Sequence, residues 1–258
     1  MLLAIDIGNS QIACGVFQDS TLQANWRLST DHTKTPDEYG MMLRSLIQFN
    51  NLEPSNIRAC ILSSVVPPLT EVFYTLSQSF IGQTPIIVTS SCPHGLILRY
   101  ENPEEIGTDR LINASAAFAQ YQRCLIIVDF GTATTFCTIT QKGEYLGGAI
   151  APGLKGAADA LHLNTAKLPK VDLTIPKSVI GHDTATSIQS GIMYGYTGLV
   201  DEIVRRIQLE ISQPAYVIAT GGLAQKIVPI SHTIQEVRPH LTLEGLALLH
   251  SRMASSCG

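Results

Sequence analysis

Two short acidic turns carry residues suited to chemistry. Asp6-Ile7-Gly8-Asn9-Ser10 closes the apolar run Leu2-Leu3-Ala4-Ile5, and Asp129-Phe130-Gly131-Thr132-Ala133 closes a second run, Leu125-Ile126-Ile127-Val128. An aspartate at the end of a buried strand, with glycine two residues on, sets a carboxylate beside a turn able to bind phosphate. Gly8 lets the backbone approach a ligand with no Cβ in the way. Asn9 and Ser10 add side-chain donors, and successive amide N–H groups can cradle phosphate oxygens. Asp6 is then placed to hold Mg²⁺, a hard cation that takes oxygen ligands and keeps several waters. A single D-x-G-N is more often a plain Asx turn in a hairpin. The second copy stands 123 residues later, close to half the chain length, and tips the balance toward function. Around it, the hydroxyls of Gly131-Thr132-Ala133-Thr134-Thr135 are phosphate donors, although threonine is also a good strand former.

A third carboxylate lies in Glu104-Glu105-Ile106-Gly107-Thr108-Asp109-Arg110-Leu111. Leu111, Ala114, Ser115 and Phe118 share one helical face, which predicts a helix from about Asp109 to Tyr121 with Thr108 as its N-cap. The helix dipole favours an ionised acid in the first turn, so Asp109 can accept a proton from a hydroxyl. Arg110 beside it suits a carboxylate or a developing phosphoryl charge. Ordinary capping is the plain alternative. Gly147-Gly148-Ala149-Ile150-Ala151-Pro152-Gly153-Leu154-Lys155 lacks the Gly-Lys-[Ser/Thr] of a P-loop and reads as a tight chain reversal.

Positioning these turns takes alternating strands and helices. Each acidic turn is followed by β-rich residues, Ile12–Phe17 and Thr135–Ile139, so each reads as a hairpin. Helical rhythm runs over 36–50 and 69–80, and strands are expected at 59–66, 84–88 and 216–220. Residues 183–211 form a long helical stretch, kinked or split near Gly195-Tyr196-Thr197-Gly198, with Gly191, Gly195 and Gly198 on one side for close approach of another element. The repeated turn predicts two similar domains, 1–115 and 116–258.

Composition narrows the function classes. The 258 residues are 45% apolar and 15% charged, enough to bury a sizeable core. A net charge of −4 leaves no positive excess to hold a polyphosphate backbone, so nucleic acid is excluded as the main partner. No apolar run reaches the roughly 18 residues of a membrane helix. Met1–Ile5 is too short for a signal-peptide core, which points to a cytoplasmic protein. The six cysteines (14, 60, 92, 124, 137 and 257) form no C-x-x-C pair and read as reduced thiols. The histidines show no H-E-x-x-H, which disfavours a zinc enzyme.

Asp6-Ile7-Gly8-Asn9-Ser10, Gly107-Thr108-Asp109-Arg110, Val128–Thr135, Gly147–Gly153 and Ala219-Thr220-Gly221-Gly222-Leu223 occur in this order, with Ser63–Thr70 and Leu241–Leu246 as further blocks. Together they closely resemble the type III pantothenate kinases of bacteria, over nearly the whole chain. The resemblance implies an α/β fold of two ribonuclease-H-like domains, duplicated as in actin and the sugar kinases, with a nucleotide cleft between them. It implies phosphorylation of pantothenate by ATP to 4′-phosphopantothenate, the first step of coenzyme A biosynthesis. By position, Asp6, Ile7, Gly8, Asn9, Ser10, Gln11, Ile12 and Ala13 contact ATP, helped by Thr132. Asp109 is the proton acceptor within the substrate segment Gly107, Thr108, Asp109 and Arg110, and Tyr100 and Thr184 also contact pantothenate. Asp129 matches the ligand of a monovalent cation, K⁺ or NH₄⁺, and Asp6 meets Mg²⁺ through the phosphates. A homodimer is implied, with substrate near the subunit interface and the glycine-marked face of 183–211 packed there. Three positions depart from the family: Ser10 for the usual Thr, Thr108 for Ala and Cys137 for Asp; Lys155-Gly156 also replaces a small or apolar pair. The other reading is a non-catalytic, nucleotide-binding accessory or regulatory protein of the same fold.

Overall fold

In β1 (Leu2–Ile7) side chains alternate between two faces that are both covered. Leu3, Ile5 and Ile7 enter one apolar cluster, and Leu2 and Ala4 enter another. The strand is therefore the centre of a sheet with helices on each side. The computed structural model describes residues 1–165 and 167–256. The first sheet runs β3 (Thr21–Ser29), β2 (Gln11–Gln18), β1, β4 (Ala59–Ser64), β5 (Ile86–Ile87). β1, β2 and β3 form an antiparallel meander, and β4 and β5 lie parallel to β1.

Two helices make the parallel connections possible. α1 (Pro36–Phe49) opens with a reciprocal capping box: Glu38 N–H donates to Thr35 Oγ1, and Thr35 N–H donates to the Glu38 carboxylate at 2.8 Å. Tyr39, Leu43 and Ile47 recur every fourth residue and are buried. α2 (Pro67–Leu76) adds Leu69, Phe73 and Leu76, and Phe73 meets Tyr39 with ring centroids 4.9 Å apart. The other face of β1 is closed by Leu243, Leu246 and Leu249 of α7 (Leu241–Ser256), with Ile112 of α3 (Thr108–Tyr121).

The second sheet runs β11 (Glu236–Val237), β10 (Tyr216–Thr220), β7 (Leu125–Phe130), β8 (Ala133–Ile139), β9 (Glu144–Pro152), β6 (Ile97–Leu98). Without β6 it repeats the order and directions of the first sheet. β1 and β7 share one burial pattern, four buried residues, a half-buried aspartate and a buried apolar residue. Ile126, Val128 and Phe130 pack on Met193, Tyr196, Val200 and Val204 of α5 (Thr184–Glu210). α4 (Leu154–Leu163) follows β9, and α6 (Ala224–Ile227) follows β10. No helix among the described residues is long and apolar enough to cross a membrane.

Three expectations differ from the structure. α5 is one helix and is not split; Cβ atoms at Gly191, Gly195 and Gly198 would meet nothing within 4 Å, so these glycines seat no other element of the same chain. Residues 144–152 form strand β9 rather than a chain reversal. Glycine suits that strand because a Cβ at Gly148 would overlap the carbonyl of Phe136 on β8. The two compact units are also not contiguous halves. One comprises Met1–Gly95, Asn102–Ala116 and Leu241–Gly258, the other Leu96–Glu101 and Ala117–His240. A division at 115/116 gives α7 to the second half, but its leucines close the open face of the first sheet. Thr242 Oγ1 also donates to Asn113 of α3 at 2.8 Å. Cys14, Cys60, Cys92, Cys124 and Cys137 are buried free thiols, and burial pushes Cys14 and Cys60 up, to about 11 at Cys60. Cys257 lies outside the described residues.

Gly148→Ala is expected to destabilise the protein by about 3 kcal/mol through overpacking against a backbone that cannot yield. Gly156→Ala, in α4 with open space around the new methyl, should stabilise by roughly 0.5–1 kcal/mol. Thermal melts of both variants check the contrast.

Candidate active site

The first acidic turn is braced rather than loose. Gly8 N–H donates to Gln11 O at 3.0 Å, closing the β1–β2 hairpin. Thr30, just past β3, adds two bonds: its hydroxyl donates to Gly8 O at 2.6 Å and its N–H to Ser10 O at 3.2 Å. Asn9, Ser10 and Gln11 stay exposed, while Ile7 and Ile12 are fully buried in the core. A ligand at this turn therefore meets only the main chain of Ile7 and Ile12. Asp6 pairs with Ala13 of β2 and Ser63 of β4, and strand alternation puts its carboxylate on the face that α7 and α3 cover.

That face holds the third carboxylate too. Ser63, next to last in β4, is fully buried, and its hydroxyl lies 3.1 Å from Thr108 Oγ1 at the start of α3. β1, β4 and the first turn of α3 are thereby linked through Ser63, the residue paired with Asp6. Thr108 is not the N-cap. The Gly107 carbonyl accepts the first helical bonds, from Arg110 and Leu111, and the Thr108 hydroxyl is spent on Ser63. Asp109 folds back toward Gly107, where a Cβ would come within 2.5 Å of Oδ1, and Oδ1 accepts the Arg110 N–H at 2.9 Å. The dipole argument predicts a low pKa for Asp109. Burial instead raises it, outweighing the Arg110 N–H and the Arg110 charge, which both lower it. A carboxylate held above its usual range is a better proton acceptor.

In the second unit Asp129 occupies the place of Asp6, paired with Thr135 and, on the parallel side, Thr220. Gly221 follows with φ +89°, and a Cβ there would stand 2.5 Å from Asp129 Oδ1. A side chain at position 221 would therefore collide with the carboxylate. Gly131 and Thr132 are exposed, and the turn closes with Gly131 N–H donating to Ala133 O at 3.1 Å. Gly153, before α4, presses on the carbonyls of Gly131 and Thr132 so closely that a side chain has no room. Thr134 is fully buried with its hydroxyl against Tyr196, so it is no phosphate donor. Cys137 is likewise a packed strand residue whose sulfur accepts a hydrogen bond from the Tyr145 hydroxyl at 3.3 Å.

Tyr100 lies over Gly147 of β9, where a Cβ would stand 3.2 Å from its ring, with its centroid 6.3 Å from that of Tyr145. Thr184 is exposed at the start of α5, behind an Asp183–Thr186 capping box. It lines a cavity of about 570 Å³ with Leu161, Leu168, His182 and Ile188 among others, and no other predicted site residue is there.

Among the described residues no three His, Cys, Asp or Glu side chains cluster as a metal cage. Asp6 is a hard-oxygen donor next to the exposed turn of Asn9 and Ser10. That donor set fits Mg²⁺, which binds one or two carboxylates plus substrate phosphates and keeps waters. Ser63, Gly221 and Tyr196 gained no role from sequence. The available signal for Ser63 is that a buried hydroxyl residue lies beside each aspartate on the parallel strand, Ser63 and Thr220.

A family model described as type III pantothenate kinase matches residues 2–206. A type III pantothenate kinase of Geobacter sulfurreducens is 49% identical over 252 residues, covering 98% of this chain and 99% of that one. A Campylobacter jejuni crystal structure, of a protein assigned to the Baf family of transcriptional activators, has a TM-score of 0.60 at 17% identity, covering 98% and 99% of the two chains. A Porphyromonas gingivalis protein assigned as an N-acetylglucosamine kinase has a TM-score of 0.52 at 14% identity, over 98% and 99%. These two likenesses are of fold, the duplicated ribonuclease-H-like α/β architecture of actin and the sugar kinases. Identity near one half along almost the full length of both sequences goes further than fold, and the chain belongs to the type III pantothenate kinases.

Proposed function

We propose that this protein transfers the γ-phosphoryl group of ATP to the 4′-hydroxyl of pantothenate, giving ADP and 4′-phosphopantothenate, the first step of coenzyme A biosynthesis. The observation that supports the reading is the Ser63–Thr108 hydrogen bond, which ties the start of α3, where Asp109 stands, to the strand beside Asp6. ATP is held by residues 6–13, through the amides and exposed side chains of Asn9, Ser10 and Gln11, and by Thr132. Gly107, Thr108, Asp109, Arg110, Tyr100 and Thr184 recognise pantothenate, with Arg110 facing negative charge. The hydroxyl oxygen forms its bond to the γ-phosphorus as the bond to ADP breaks in line, and its proton passes to Asp109. Phosphoryl transfer of this kind has a loose transition state, so positioning and charge stabilisation carry most of the rate. Bound cations neutralise triphosphate charge that a chain of net charge −4 cannot. Asp6 holds Mg²⁺ through the phosphates, and Asp129 holds K⁺ or NH₄⁺ over Gly221. The working form is a cytoplasmic homodimer, for which the exposed glycine face of α5 leaves room for a second copy.

Asp109→Asn should lower kcat by about 10²–10⁴-fold with ATP affinity kept. Unchanged turnover in a coupled ADP-release assay removes Asp109 from the mechanism. The raised pKa has a second consequence. Asp109 acts ionised, so activity falls as pH drops through a value above the ordinary 3.8. The acid limb of kcat/KM should lie above that value in the wild type and vanish in Asp109→Asn. ADP release should require both pantothenate and K⁺, and Asp129→Asn should raise the K⁺ needed for half-activation; equal rates in Na⁺ and K⁺ refute the Asp129 assignment. A regulatory protein would show no pantothenate-dependent release at all.

A further inference from the structure

The turn that carries Thr132 is held from behind by one phenol. Tyr196, on the buried side of α5, donates its proton to the carbonyl of Pro152 at 2.7 Å, and its oxygen lies 2.5 Å from Thr134 Oγ1. A phenol has one proton and a carbonyl can only accept, so the Thr134 hydroxyl must donate to the Tyr196 oxygen. The relay runs in one direction, Thr134 to Tyr196 to Pro152. Burial pushes the Tyr196 pKa up, which keeps the proton on the phenol at any working pH.

Both ends of this relay frame the phosphate turn. Thr134 follows Gly131–Ala133 directly, and Pro152 is the β9 partner of Ala133. The next residue, Gly153, presses on the Gly131 and Thr132 carbonyls. Thr134 is fully buried, so water cannot substitute for a lost partner. We infer that Tyr196 is a positioning residue for nucleotide binding, its hydroxyl clamping the two chain segments that fix where the Gly131–Ala133 turn presents its donors. The inference rests on the kinase reading above. Tyr196 acts through the turn, so its loss disturbs ATP rather than the acceptor alcohol.

The test compares Tyr196→Phe, Thr134→Val and Thr134→Ser in the full chain, measuring KM for ATP, KM for pantothenate and the melting temperature. Tyr196→Phe should raise KM for ATP about tenfold and Thr134→Val about threefold, since the latter keeps the bond to Pro152. Thr134→Ser restores the donor and should rescue the wild-type value, with KM for pantothenate within about twofold throughout. A wild-type KM for ATP in Tyr196→Phe and Thr134→Val, with only the melting temperature lowered, overturns the inference. If Tyr196→Phe does not fold, Thr134→Val against Thr134→Ser decides alone. Absence of pantothenate-dependent ADP release from the wild type defeats the kinase reading instead. Calorimetric ATP affinities of the same variants then still decide the role of Tyr196.

Discussion

A carboxylate cannot be sunk alone into an apolar sheet, so it has to sit where a strand runs out. Asp6 and Asp129 meet that condition in the same way. Four buried residues hold the strand between an antiparallel and a parallel neighbour, and the fifth emerges half-buried on the face opposite the next apolar residue. The surrounding order follows from this placement. The hairpin must turn at once, which brings glycine and small polar residues beside the acid, and the parallel neighbour must end level with it. Ser63 and Thr220 stand level with the aspartates on those neighbours, buried hydroxyls next to half-buried carboxylates.

Duplication leaves the two copies free to specialise. In the first unit the neighbouring hydroxyl reaches the first turn of α3 and couples a strand-end acid to a helix-start acid. In the second, Thr220 holds the matching place beside Asp129, and Gly221 after it leaves the carboxylate room that a Cβ would take. The first arrangement ties the start of a helix to the strand beside the acid. One topology thus carries two different surroundings for its strand-end aspartate.

Much of this is legible in the residues. The apolar runs ended by Asp-x-Gly locate β1 and β7, and Thr35-Pro36-Asp37-Glu38 marks the start of α1 by its own side-chain chemistry. What escapes is set by tertiary contact. Gly147 and Gly148 look like a turn because the need for a bare Cα against Phe136 is invisible before the strands pair. Thr108 looks like a cap until Ser63 claims its hydroxyl. The Asp109 pKa follows burial, which no local rule about helix dipoles contains. The leucine stripe of α7 announces a buried face without naming the sheet it buries.

That last helix constrains how the protein can be made. Leu243, Leu246 and Leu249 cover Leu2, Ala4 and Phe17, which leave the ribosome some 230 residues earlier. At about 5–20 residues per second the interval is on the order of 10–50 s. Throughout it the opening meander has one finished side and one greasy, uncovered side, while the intervening unit is already being synthesised with all of its own core. The order of birth and the order of completion are therefore inverted, and the earliest strands depend on chaperones or on staying unformed until their cover arrives.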